Sequence, residues 1–219
     1  MSSSDGHAHA HHPHLASHFE TIEKQDYAAR LGMWLFLGTE VLLFAGLFLG
    51  YTVYRHFYHE TFHHCSRALD IKLGTTNTLV LITSSLSVAL AYWAVKVGKK
   101  QLAIGMLVFT IICACGFLGI KYLEYSHKFH VGELPGKWFH AEELMKYPGA
   151  NLYFTIYFLA TGLHAFHVIV GMTVLLWVLK GIVKGRYDQS YFVPVELGAL
   201  YWHLVDLVWI FLFPLLYLI

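Results

Sequence analysis

Arg30-Leu31-Gly32-Met33-Trp34-Leu35-Phe36-Leu37-Gly38-Thr39-Glu40-Val41-Leu42-Leu43-Phe44-Ala45-Gly46-Leu47-Phe48-Leu49-Gly50-Tyr51 decides the class of this chain. After Arg30 it is an apolar run broken by one carboxylate. A membrane-spanning helix needs about 20 apolar residues at 1.5 Å of rise each, and this run supplies them. Glu40 stands near its middle, at the expected depth of the bilayer midplane. A charged side chain there costs about 2.5–3.5 kcal/mol on insertion scales. The carboxyl must therefore be protonated, face protein, or both.

Four more apolar runs follow. The expected spans are 31–54, 76–97, 101–124, 151–180 and 195–219, forming a single domain over 31–219. Thr75, Thr76 and Asn77 look like the cap of the second span. The 219 residues are 57% hydrophobic and 13% charged, which is too apolar for an ordinary soluble domain. The net charge of +1 and its scatter give no sign of nucleic-acid binding. No internal repeat is evident, which argues against an inverted-repeat transporter. The fold class is thus an all-α membrane protein, a bundle of five transmembrane helices.

The connecting segments set the orientation. Residues 1–18 hold His7, His9, His11, His12, His14 and His18 and read as a disordered tail. Residues 19–30 read as an amphipathic lead-in, with Phe19, Ile22 and Tyr27 on the interface. No cleavable leader is visible. Residues 55–75 read as a polar loop, and 126–150 as the longest loop, with Pro135, Gly136 and Pro148 limiting helix at its ends. An N-inside arrangement puts Lys24, Arg30, Lys96, Lys99, Lys100, Lys180, Lys184 and Arg186 in short cytoplasmic segments. Arg55, Arg67, Lys72, Lys128, Lys137 and Lys146 are spread over longer outer loops. The density difference places the N-terminus in the cytoplasm and the C-terminus on the periplasmic side. Cys65, Cys113 and Cys115 form no Cys-x-x-Cys pattern and read as small apolar fillers rather than a disulfide or metal site.

Polar residues at membrane depth should mark protein-facing surfaces. They are Glu40, Asn77, Lys121, Glu124, His164, His167, His203 and Asp206, with Glu196 near an end. Lys121 and Glu124 are three apart and can pair. His164 and His167 are also three apart, on a helix where Gly162 and Gly171 permit close approach. Glu196, His203 and Asp206 follow one stripe of the last span, with Trp202 and Trp209 beside it. Spacing leaves three readings open: interhelical hydrogen bonding, a proton relay, or haem or metal ligation. A free-standing histidine-ligated cytochrome and a small proton-coupled carrier remain alternatives at this point.

Five stretches together resemble subunit III of haem-copper cytochrome c oxidases. They are Arg30 to Gly46, Asn77-Thr78-Leu79-Val80-Leu81, Glu124 in its Tyr-rich setting, Ala160 to Gly171 through His164 and His167, and Glu196 to Trp209 through His203 and Asp206. Mitochondrial members have seven spans. This chain resembles the five-span bacterial form, which lacks the first two and with them one wall of the family's lipid-filled cleft. The resemblance implies a non-redox subunit of a proton-pumping oxidase in the bacterial inner membrane. Its partners would be subunits I and II and structural phospholipids, and could extend to a larger respiratory supercomplex. Haem and copper would sit in the partner subunits, with no cofactor, metal or catalytic residue in this chain. Glu40 matches the family's membrane-buried carboxylate. With Glu124, Glu196 and Asp206 it forms the candidate proton-linked set. Asn77, Lys121, His164, His167, Trp202, His203 and Trp209 are the interhelical packing set. Related quinol oxidases tend to carry Asp where Glu40 stands and lack Asn77-Thr78, so cytochrome c is the implied donor. The histidine tail would lie where the family takes up protons, and could buffer them.

Overall fold

The computed structural model describes residues 14–141 and 143–218. Its helices are α1 (Ile22–Phe57), α2 (His59–Ser66), α3 (Ile71–Lys96), α4 (Lys100–Val131), α5 (Ala150–Val183) and α6 (Val193–Tyr217), with a short 3-10 turn at Gly136–Trp138. All but α2 and the 3-10 turn are long and apolar enough to cross a membrane. No strand occurs among the described residues, only an isolated bridge between Glu133 and Phe139. The chain is therefore an all-helical bundle with five candidate spans.

Most helices run past the apolar stretches, because their caps lie in polar sequence. Thr21 accepts from the Lys24 amide, so the lead-in and the first span are one helix. Asp70, not the Thr75–Asn77 segment, caps α3, accepting from the Lys72 and Leu73 amides. The interval expected as a polar loop at 55–75 thus holds the end of α1, all of α2 and the start of α3. Helix α4 stops at Gly132, whose φ of 81° suits the left-handed cap. Most of the histidine tail lies outside the described residues. At its inner end the His14 ring stacks on Tyr191, and Gln25 donates to the His14 carbonyl.

Burial follows steps of three and four. On α4 the buried residues are Ala103, Leu107, Thr110, Ala114, Phe117, Lys121, Glu124 and Lys128. On α3 the main seam is Gly74, Asn77, Leu81, Ser84, Val88, Ala91 and Val95. This 3.5-residue period is that of left-handed helix packing. Small residues let α3 and α4 come close, and Ser87 and Thr110 share a hydrogen bond of 2.6 Å across the seam. Helices α3, α4, α5 and α6 pack in a closed ring of neighbours, and α1 lies against α5 and α6. In its most apolar window α6 is 56% buried, whereas α1 is only 11% buried. Helix α1 buries just Leu37, Phe44 and Tyr51, seven residues apart each time. Between the spans, Cys65 is buried against α5, and burial pushes its thiol up to about 12.

The two glycines singled out on α5 differ. A Cβ at Gly171 would sit 3.0 Å from the Trp202 ring, so this residue does set the α5–α6 approach. At Gly162 the nearest atom is the Tyr125 hydroxyl at 3.9 Å, an ordinary contact. Gly171→Leu should destabilise the purified protein by about 1–3 kcal/mol in a thermal or denaturant melt, through overpacking. Gly162→Ala should leave the melt unchanged.

Candidate functional site

The polar residues at membrane depth form separate groups, each set where two or three helices meet. The first joins α1 to α5. Glu40 Oε2 lies 2.8 Å from His167 Nε2, and His167 Nδ1 lies 2.8 Å from the Leu163 carbonyl. A carbonyl can only accept, so Nδ1 carries a proton. One further proton then sits between Nε2 and Glu40. Either a protonated carboxyl donates to neutral imidazole, or imidazolium donates to carboxylate. In both forms the pair has no net charge, which is what a site at this depth requires. Phe44 packs against the imidazole, with ring centroids 5.2 Å apart.

The second group lies inside α4, α5 and α6. Lys121 Nζ donates to Glu124 Oε2 at 2.9 Å and to the Tyr217 hydroxyl at 2.6 Å. Glu124 Oε1 accepts from Tyr157 at 2.8 Å and from Tyr217 at 2.6 Å. Lys121 also sits 4.7 Å from the centre of the Trp209 ring. One turn along, Lys128 pairs with Glu133 at 2.7 Å, and both are buried. Each lysine thus has its own carboxylate. The pairing of Lys121 with Glu124 was legible from spacing. Tyr157, Tyr217 and the Lys128–Glu133 pair were not singled out, although Lys128 continues the 121–124 stripe by another four residues.

The stripe on α6 does not act as one chain. Glu196 accepts two bonds from Arg30 of α1, at 3.1 and 3.0 Å. His203 Nδ1 meets the Ser85 hydroxyl of α3 at 2.7 Å. Asp206 turns inward, beside the same Ser85 hydroxyl that meets His203. The indoles of Trp202 and Trp209 donate to Ser84 and Thr78 of α3, at 3.1 and 3.0 Å. His164 does not join His167. Its ring packs on Phe117 and Trp209, at 5.4 and 5.1 Å between centroids, and both nitrogens lack protein partners. Asn77 is buried in the same condition. Among the described residues, no three or more His, Cys, Asp or Glu side chains gather to hold a metal ion.

This arrangement can lock helices together and can store or pass protons. Comparison with known proteins gives the chain's relatives. The family model for cytochrome c oxidase subunit III matches residues 143–219. Cytochrome c oxidase subunit 3 of Prototheca wickerhamii is 30% identical over 206 residues, covering 86% of this chain and 68% of the relative. The protein of that name from Branchiostoma lanceolatum is 31% identical, with the same coverage. A "Heme-copper oxidase subunit I+III" of Aeropyrum pernix is 30% identical over 201 residues, covering 87% of this chain and 22% of that longer one.

The Lys121–Glu124 pair allows a direct check. Lys121→Met should cost about 3–5 kcal/mol in unfolding free energy, because it leaves Glu124 buried without its cation. Adding Glu124→Gln should recover most of that loss in the same unfolding measurement.

Proposed function

The chain belongs to the cytochrome c oxidase subunit III family, and from that premise we propose that it is a non-redox subunit of a proton-pumping cytochrome c oxidase. In this reading it packs on the catalytic subunit, keeps that subunit's local structure and lipid contacts intact, and supports proton supply. Electrons pass from cytochrome c to dioxygen through haem and copper in subunits I and II. The observation that carries the partnership is the relative named as a joined subunit I+III, since a single polypeptide of that kind keeps the two parts side by side. A reading without haem in this chain is favoured by the histidines themselves. His167 is engaged by Glu40 and Leu163, and His203 by Ser85.

The chain is proposed to lie in the bacterial inner membrane with its N-terminus in the cytoplasm. The basic turns support this. Lys100 donates to the Val183 carbonyl, so the α3–α4 turn and the α5–α6 loop share one end of the bundle. Arg30 pairs with Glu196 at that same end. Basic residues gathered on one side favour the cytoplasmic face. The histidine tail would then approach the proton-uptake side, where its imidazoles can buffer protons.

A tagged chain purified from mild detergent should bring down haem-bearing and copper-bearing subunits, while the chain separated from them should show no haem absorption. A coloured isolated chain, or one with no partners, would contradict the proposal. Deleting residues 1–18 should slow oxidase turnover at alkaline pH with assembly intact. An unchanged pH–rate profile would remove the buffering role.

A further inference from the structure

One cleft leads toward the buried lysine–glutamate cluster. It lies at the end of the bundle where α3 begins and α4 ends, away from the N-terminus of α1. Its volume is about 210 Å³, and Ala68, Asp70, Leu73 and His127 line it together with Glu124 and Lys128. Asp70 and His127 are exposed, whereas Glu124 and Lys128 are buried at the inner wall. At about 30 Å³ per molecule the cleft has room for several waters. Asp70 and His127 at its mouth give those waters partners.

The core beyond the cleft is also built for water. Glu124 bonds to Lys121, and Lys121 lies against one ring, Trp209, that His164 also packs on. His164 and Asn77 are each more than nine-tenths buried, and none of their side-chain nitrogens or oxygens has a protein partner. Each such group costs about 1–3 kcal/mol if kept dry. Buried polar groups are met by protein or by ordered water, and here the protein supplies no partner.

We propose that water enters the bundle through the Asp70–His127 cleft, wets the Lys121–Glu124–Tyr157–Tyr217 cluster, and continues to His164 near the midplane. The hydrated column provides a route for proton exchange between the outer end of the bundle and its core. It runs from the end opposite the basic turns, so it is separate from the uptake side assigned above.

Hydroxyl-radical footprinting of the intact oxidase, with radicals made by X-ray radiolysis, tests this because it marks side chains beside internal water. Tyr51 is the control. Tyr51 is 2% exposed like Tyr217, while Tyr157 is 0% exposed; the Tyr51 hydroxyl donates to the Leu215 carbonyl, and Tyr51 does not line the cleft. Tyr157 and Tyr217 should be modified about fivefold or more faster than Tyr51, and His164 should be modified above background. Equal rates for the three tyrosines would overturn the proposal. Unmodified His164 beside modified tyrosines would overturn its extension to the midplane. Ala68→Trp at the mouth should bring Tyr157 and Tyr217 down toward the Tyr51 rate. Unchanged rates in that variant would refute the cleft as the inlet. If the variant fails to assemble, the wild-type rates still decide.

Discussion

The hydrogen bond between Glu40 and His167 holds a helix that has little else to hold it. In lipid, apolar side chains gain nothing by leaving the solvent, because the solvent is as apolar as they are. Helix α1 buries only three side chains of its apolar stretch, on one narrow seam. Its attachment rests on polar clips spaced along its length. Arg30 grips Glu196 near one end, Glu40 meets His167 in the middle, and the Tyr51 hydroxyl donates to the Leu215 carbonyl toward the other end. Arg30–Glu196 and Tyr51–Leu215 keep almost the same offset in numbering, so α1 runs parallel to α6. Glu40 reaches past α6 to α5 and fixes the rotation of α1 as well as its height.

The inner bundle solves the same problem differently. There, charged and aromatic groups occupy core positions that a soluble protein would fill with leucine. Lys121 and Glu124 cancel, Lys128 and Glu133 cancel, and two tyrosines complete the carboxylate's bonds. Such pairs add little net stability over apolar packing, yet losing one partner is expensive. Their effect is to penalise every register but one. The indole bonds from Trp202 and Trp209 to hydroxyls of α3 act in the same sense. A rigid inner bundle with a lightly held outer helix fits a subunit whose outer surface is completed by its neighbours.

The sequence made the class and the number of spans legible, because runs of that length and apolarity have one physical outlet. Helix ends were less legible. The caps at Thr21 and Asp70 lie in polar flanks that apolarity does not reach. Buried faces could not be read from hydrophobicity, since the lipid side is equally apolar. They could be read from polar and small residues in steps of three and four, as Lys121, Glu124 and Lys128, or His164, His167 and Gly171. Spacing did not show which partners Glu196, His203 and Asp206 meet. Residues three apart differ by about 60° around a helix, and α6 has neighbours on several sides. Glu196 therefore meets α1, while His203 and the buried Asp206 both meet Ser85 of α3. The pairing of Glu40 with His167 depends on which helices become neighbours, and no local spacing encodes that.

A double-mutant cycle on Glu40 and His167 tests the central claim most directly. Unfolding free energies would be measured for the parent chain, Glu40→Leu, His167→Leu and the double variant under one set of conditions. If their hydrogen bond holds α1 in place, the coupling energy should fall at about 0.6–1.7 kcal/mol, the range found for such bonds inside membranes. A coupling indistinguishable from zero would mean that α1 is held by something other than the Glu40–His167 bond.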